Sequence, residues 1–317
     1  MTGPLLTTMV SEDARYALAK KRWVDPFDYQ ERQGGKKIRT ELTHAMASLF
    51  GIGERQANLL CEVVEKFNAA SLIHDDIVDQ SEVRRGAPSV WMAFGVGAAL
   101  NCGMHGYVHG LQLLAKLERV DLLEVGLKSL EALHMGQYLD TQVSEGSALP
   151  TMEEYRFIAE TNTGCFFVLI LDFCQLLKPL SERLYVELKA LMLELAVYYR
   201  YVNDYCDINH IPHFEKKGFA PDLDEGPKSF LMILADCPLI KKKRSDEQKQ
   251  KIIVDFGRAG IFSQAKKVMD ASYEKILQHL NLARDLSTDR NITPLSAFLC
   301  NIRFEQQIKD NYYEGLV

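Results

Sequence analysis

Apolar residues recur along this chain with a helical period. Leu184, Leu188, Leu191, Leu195, Tyr198 and Val202 follow at steps of four and three, which stacks them along one side of a helix turning ~100° per residue. Residues 54–80 and 121–142 carry the same period, so a long helix is predicted over each. No run alternates apolar and polar β-branched residues between turn residues, and a sheet is not expected. Punctuation agrees: Thr151 and Glu154, directly after Pro150, have the spacing of a capping box, which leaves 143–150 as a loop. A second stretch, 209–227, holds Pro212, Gly218, Pro221, Gly226 and Pro227 and reads as irregular, too broken for a helix. The pattern as a whole predicts an all-α chain.

Composition narrows this further. The chain has 317 residues, and its 10 Pro and 20 Gly form no linker, so one domain over 1–317 is expected. With 47% hydrophobic and 25% charged residues it can bury a sizeable core, which excludes the disordered class. A net charge of −6 excludes a global basic field for nucleic acid or an anionic membrane. The basic run Lys241 to Arg244 reads as a solvated loop entering the next helix. Seven widely spaced Cys without a CxxC pair argue against a disulfide framework or a zinc knuckle, and a reducing, cytoplasmic setting is expected. The amino terminus lacks the sustained apolar stretch of a secretory signal, and the apolar segment Cys165 to Leu177 is interrupted by Asp172 and Gln175 and too short to span a bilayer.

Candidate chemistry concentrates in two acidic clusters. In Ser71-Leu-Ile-His-Asp75-Asp76-Ile-Val-Asp79, Asp75 and Asp79 share a helical face one turn apart, while Asp76 points elsewhere. Two carboxylates on one face repel unless a cation lies between them, and hard oxygen ligands with substrate phosphate are the ligand set of Mg²⁺. The second cluster, Asn203-Asp204-Tyr205-Cys206-Asp207, again turns oxygen ligands to one side. The clusters lie roughly 130 residues apart on long apolar helices, as on the facing walls of a bundle that holds metal. Arg84-Arg85-Gly86 follows the first, and Gly34-Gly35-Lys36-Lys37-Ile38-Arg39 precedes it; paired guanidinium groups and glycine turns both suit phosphate. No Walker A loop is present. The parts describe a site for a diphosphate bridged by Mg²⁺, with diphosphate as leaving group.

These residues resemble the trans-isoprenyl diphosphate synthases, most closely the fungal geranylgeranyl diphosphate synthase branch, over about residues 23–300. The landmarks are Gly35-Lys36-x-x-Arg39, Ser71 to Asp79 with Arg84-Arg85-Gly86, His134-Met-Gly-Gln137-x-x-Asp140, Thr163-Gly164, Asn203-Asp204-x-x-Asp207, and Lys217-Gly218-Phe219 leading to Asp224-Glu225-Gly226. The resemblance implies an all-α isoprenoid synthase bundle around a deep central cavity, usually a homodimer, with three Mg²⁺ ions between the two aspartate motifs. It implies that Asp75 and Asp79 hold two ions, that Asp204, with Asp207 in the same motif, holds the third, and that all three first-named aspartates are catalytic. Arg84, Gln137, Thr163 and Lys217 would bind the allylic diphosphate, and Lys36, Arg39 and Arg85 the second diphosphate.

Four positions depart from the family pattern. Asn68 stands where a histidine usually meets isopentenyl diphosphate, Asn162 where a lysine meets the allylic diphosphate, and Asn203 where the second motif usually starts with aspartate. Lys228 is displaced by one position through Pro227. An intact first motif with Asn-Asp-x-x-Asp as the second is similar to the paxilline-type prenyltransferases of indole-diterpene biosynthesis. That resemblance implies geranylgeranyl diphosphate as donor and indole-3-glycerol phosphate as acceptor, giving 3-geranylgeranylindole. The alternative is a chain-elongating geranylgeranyl diphosphate synthase using isopentenyl diphosphate. Ala70 and Ser71, small residues where bulky ones shorten the family's chain pocket, leave room for a C20 chain.

Overall fold

Each long apolar stripe becomes one helix of a computed structural model that describes residues 14–316. The amino-terminal segment read above for a signal, and Val317, lie outside the described residues. The first half of the bundle comprises α1 (Ala14–Arg32), α2 (Ile38–Phe50), α3 (Glu54–Val78), α4 (Val90–Phe94), α5 (Val96–Ala115), α6 (Val120–Glu145) and α7 (Met152–Asn162). The second comprises α8 (Gly164–Leu177), α9 (Glu182–Asn209), α10 (Ile211–Lys217), α11 (Phe230–Leu234), α12 (Asp246–Arg258), α13 (Ile261–Leu286) and α14 (Thr293–Asn301). The expected stripe on α9 is the buried one: Leu184, Leu188, Leu191, Leu195 and Tyr198 are all buried, and α13 lies along the same helix. Fully burying one such leucine is worth about 1.5–3 kcal/mol.

The capping box forms as read, with Thr151 Oγ1 accepting from Glu154 N at 3.1 Å and Glu154 accepting from Thr151 N at 2.7 Å. The loop before it is shorter than expected, because α6 runs on to Glu145. The stretch 209–227 differs more. It contains the helix α10, because Pro212 falls in the first turn, where a missing N–H breaks no helical bond. A two-residue β-ribbon, Val83–Arg84 against Ala87–Pro88, closes around Arg85 and Gly86. Lys241 to Arg244 forms a loop ahead of a second capping box, Ser245 with Gln248.

α3 and α5 pack along their lengths. A Cβ on Gly106 of α5 would come within 2.8 Å of Ala70 and 2.5 Å of the Phe27 ring, so only glycine permits this approach. α8 is almost wholly buried between α2, α6 and α9. Among the described residues no single helix is long and apolar enough to cross a membrane; α7 and α8 pass that test only as a pair bent by 50°.

Candidate active site

The helices enclose a cavity of about 610 Å³ that is lined by both acidic clusters and by the basic residues flanking the first. Its walls include α3 through Asn68, Ser71 and Asp75, α6 through Gln137 and Asp140, and the α7–α8 junction through Asn162, Thr163 and Phe166. α9 contributes Arg200, Asn203, Asp204 and Asp207, and α10 with the segment after it contributes Lys217, Asp222, Glu225 and Lys228. Lys36, Arg39, Asp79, Arg84 and Arg85 complete the set expected from sequence. Ala70 alone of that set is not in the lining. It sits ~100° around α3 from Ser71 and is used up in the seam with Gly106.

On the first wall, Asp75 Oδ1 accepts from Gln137 Nε2 at 3.0 Å and Oδ2 from Arg84 Nη2 at 3.4 Å. Asp76, which points away from the Asp75–Asp79 face, is fully buried and accepts from Arg84 Nε at 2.8 Å and from Arg84 Nη2. Arg84, expected to hold phosphate, is thus aimed by two carboxylates. Burial lifts Asp76 to about 6 even though Arg84 opposes it. Asp79 is raised further, first by burial and then by Glu225 and Asp75, against the pull of Lys228. Lys228 Nζ reaches both Asp79 oxygens, Glu225 Oε2 at 2.9 Å and Asp140 Oδ2 at 3.7 Å. The turn that delivers it needs Gly226, whose φ is 94° and whose Cβ would stand 2.0 Å from Ser144 O.

On the second wall, Asp204 Oδ2 accepts from Tyr155 OH at 2.8 Å and from Phe230 N at 3.1 Å, which fixes the carboxylate. Burial raises Asp204 to about 6 against the Arg200 charge. Asp207 Oδ2 accepts from Lys217 Nζ at 2.9 Å and from Asn203 Nδ2 at 3.0 Å. Burial works to raise Asp207, but Lys217 and the His213 ring outweigh it and hold the carboxyl well below its ordinary value. Asn203 therefore orients Asp207 where an aspartate would repel it. Asp222 is buried, raised by burial and by Asp207, Asp204 and Glu225, and takes part in no ion pair among the described residues.

The basic end is built differently. Arg39 lies 5.1 and 5.9 Å from the Phe166 and Phe167 ring centres, and its buried Nε has no hydrogen-bond partner among the described residues. Gly35 lets Arg85 lie against the backbone: a Cβ there would come within 2.8 Å of Nη2. Burial, Arg84 and Arg39 push Arg85 down, against the pull of Glu65. Sequence reading missed several working parts. Arg200, paired with Asp140 and 5.3 Å from the Tyr155 ring, and Asp222 are the chief ones. The signal for Arg200 was its place one turn before Asp204, on the cavity side of the stripe.

The donor set fits a hard divalent cation. Asp75, Asp79, Asp204 and Asp222 all line one cavity, and oxygen-rich sites of this kind take Mg²⁺.

Comparison with known proteins places this geometry. The polyprenyl synthetase family model matches residues 20–270. The chain is 28% identical over 285 residues to the geranylgeranyl pyrophosphate synthase atmG of Aspergillus flavus, covering 86% of this chain and 83% of that protein. It is 32% identical over 228 residues to the geranylgeranyl pyrophosphate synthase olcC of Penicillium canescens, covering 72% and 65%. Against the bifunctional sesterterpene synthase astC of Talaromyces wortmannii it is 26% identical over 95% of its length but spans only 40% of that longer protein. Among solved structures, the geranylgeranyl pyrophosphate synthetase of the archaeon Geoglobus acetivorans superposes with a TM-score of 0.71 at 20% identity, covering 92% of each chain. A polyprenyl synthase from Caulobacter crescentus complexed with calcium and isoprenyl diphosphate gives 0.70 at 20%, covering 91% and 87%. At those identities the likeness shows the fold.

Proposed function

The chain belongs to the polyprenyl synthetase family, whose model covers residues 20–270, and from that premise we propose that it is a Mg²⁺-dependent prenyltransferase that ionises an allylic diphosphate and passes the chain to an acceptor. The observation that carries the reading is the gathering on one cavity of the carboxylates Asp75, Asp79, Asp204 and Asp222 with the cations Lys36, Arg39 and Arg85. Asp75, Asp79 and Asp204 would hold Mg²⁺, three ions in all, with Asp207 oriented beside them. When bound, Mg²⁺ neutralises charge on the departing diphosphate. Arg84 and Lys217, each already aimed by a carboxylate, offer preorganised donors to the same oxygens. Gln137 fixes Asp75, and Asn162 and Thr163 complete the diphosphate end. Leu72, Leu133 and Phe166 line the cavity with apolar surface that keeps water from the allylic cation.

We propose geranylgeranyl diphosphate as donor and indole-3-glycerol phosphate as acceptor, with 3-geranylgeranylindole as product. Asn68, an amide facing the cavity, binds without demanding a second diphosphate, and Lys36, Arg39 and Arg85 suffice for one phosphate. Carbon 3 of the electron-rich indole would then attack the cation, and the bond from carbon 3 to the glycerol phosphate side chain would break, its hydroxyl losing a proton so that the side chain leaves as glyceraldehyde 3-phosphate. The second reading, chain elongation with isopentenyl diphosphate, draws on the printed names of the fungal relatives. Incubation of the protein with Mg²⁺ and geranylgeranyl diphosphate, with each acceptor in a separate tube, discriminates them by product mass. A prenylated indole supports acceptor switching; a longer polyprenyl diphosphate, or a C20 product from shorter donors, supports elongation and overturns it.

A homodimer is part of the proposal. α5 exposes Leu100, Met104 and Val108 at steps of four, and α6 exposes Leu127, Met135 and Tyr138. A second copy of the chain is the occupant that would cover this apolar face. Sedimentation at micromolar concentration tests it, and a monomer there rejects it. A cytoplasmic site of action is proposed with it.

A further inference from the structure

The corner where α9 hands over to α10 gathers three soft metal ligands. Cys206 lies one turn before the end of α9, His210 caps that helix in an extended conformation, and His213 follows in the first turn of α10. His213 N donates to His210 O at 2.9 Å, and this tight corner folds the second ring back towards the first. The Cys206 sulfur and one ring nitrogen from each histidine all lie within 4.8 Å of one another. His210 Nδ1 and His213 Nε2 are buried and accept or donate no hydrogen bond. Asp207 Oδ1 lies 2.8 Å from His213 Nε2 as an ion-pair contact, which brings a carboxylate to the edge of the same cluster. His210 Nδ1 has neither a hydrogen bond nor an ion pair among the described residues, and a buried polar atom in that position calls for a ligand.

We propose that Cys206, His210 and His213 form a binding site for one divalent cation of the zinc class, with Asp207 Oδ1 or a water as the fourth ligand. A thiolate and two imidazoles are the donors of tetrahedral Zn²⁺, whose bonds of about 2.0–2.3 Å need the three atoms to draw together only slightly. Mg²⁺, which takes hard oxygen ligands, is rejected by the same set. Binding exchanges the Cys206 thiol proton for the metal, and the proton leaves to solvent. The ion would tie α10 to α9 and so fix the helix that carries Lys217 to Asp207, making the site a structural clasp for one diphosphate-binding residue.

The test uses the full chain, stripped with a chelator, freed of it, and titrated with Co²⁺ alone in excess Mg²⁺. One equivalent should bind with the intense visible absorption of a tetrahedral ion and a thiolate-to-cobalt charge-transfer band, and Zn²⁺ should displace it. Cys206→Ser should lose the charge-transfer band, and His210→Ala should weaken binding about tenfold or more. Circular dichroism establishes that each variant is folded. Absence of the charge-transfer band in the wild-type protein overturns the proposal, as does the same band in Cys206→Ser. If Cys206→Ser does not fold, unchanged Co²⁺ affinity in His210→Ala overturns it instead.

Discussion

Lys228 Nζ donates to both oxygens of Asp79, at 2.9 and 3.0 Å, across 149 residues of chain. Both side chains are buried, and Glu225 and Asp140 share the same ammonium, so one cation holds three carboxylates at the first acidic motif. Burial lowers the lysine's affinity for its proton, but Asp79, Glu225 and Asp140 raise it by more, and Lys228 stays charged. Replacing it by methionine leaves that negative cluster uncompensated. Lys228→Met is expected to cost about 3 kcal/mol in metal-free urea unfolding. Added Mg²⁺ should restore more stability to the variant than to the wild-type protein, because it replaces the missing charge. Equal unfolding midpoints for the two proteins without metal would contradict this role.

Asp75 is held in place by Gln137 and Arg84, whereas Asp79 is held by a lysine. As the metal ligand proposed above, it would act on the ionising diphosphate. Asp75→Ala should therefore lower kcat by on the order of 10²–10³ or more while leaving the thermal unfolding midpoint nearly unchanged. Near-normal turnover would remove the Mg²⁺-assisted ionisation from the mechanism.

A third prediction concerns stability away from the cavity. Glu194 of α9 is buried, accepts from Arg156 Nη2 at 2.6 Å and from Ser272 Oγ at 2.6 Å, and so joins α7, α9 and α13. Burial favours its neutral form, but the bonds from Arg156 and Ser272 outweigh it and depress the carboxyl below its ordinary value of 4.5. A depressed carboxylate contributes stability that is fully present above the unfolded value and is lost as pH falls through the folded one. Glu194→Gln should thus cost about 2 kcal/mol at pH 7. The gap to wild type should narrow below about pH 4.5. Urea midpoints measured from pH 7 downwards check both, and a gap of constant size would show that the charge is not what matters.

Most of the helices were legible because a periodic apolar stripe is a local property, and Leu184 to Tyr198 is buried as its spacing requires. α10 was not, because Pro212 was weighed as a breaker when its place in a first turn makes it harmless. The carboxylates showed themselves through spacing within one helix. Their cations did not: Arg200 finds Asp140 60 residues away, and Lys228 finds Asp79 farther still, through packing that no spacing encodes. Ser71 and Ala70 make the same point at close range. They are neighbours in sequence, yet one lines the cavity and the other fills a helix seam.

The proposed acceptor rests on two amides. Asn68 is buried on α3, two helical turns before Asp75, and lines the cavity with it; Asn162 lines it from the end of α7, where Thr163 Oγ1 donates to Asn162 Oδ1 at 3.1 Å. Neither carries charge, so Asn68 adds nothing to the attraction for the second diphosphate proposed to lie against Lys36, Arg39 and Arg85, and Asn162 adds nothing at the proposed allylic end. Asn68→His with Asn162→Lys restores donors of the kind that the isopentenyl-using relatives of the resemblance carry. Each charge-assisted hydrogen bond so gained is worth about 1.5–3 kcal/mol, or roughly tenfold to a hundredfold in kcat/KM. The double variant should raise turnover with isopentenyl diphosphate by at least the lower figure and lower it with indole-3-glycerol phosphate. Steady-state rates with both acceptors, at one fixed donor concentration, measure the exchange. Unchanged ratios would mean that the acceptor is chosen elsewhere in the cavity, with the Phe166 and Arg39 contact the next position to vary.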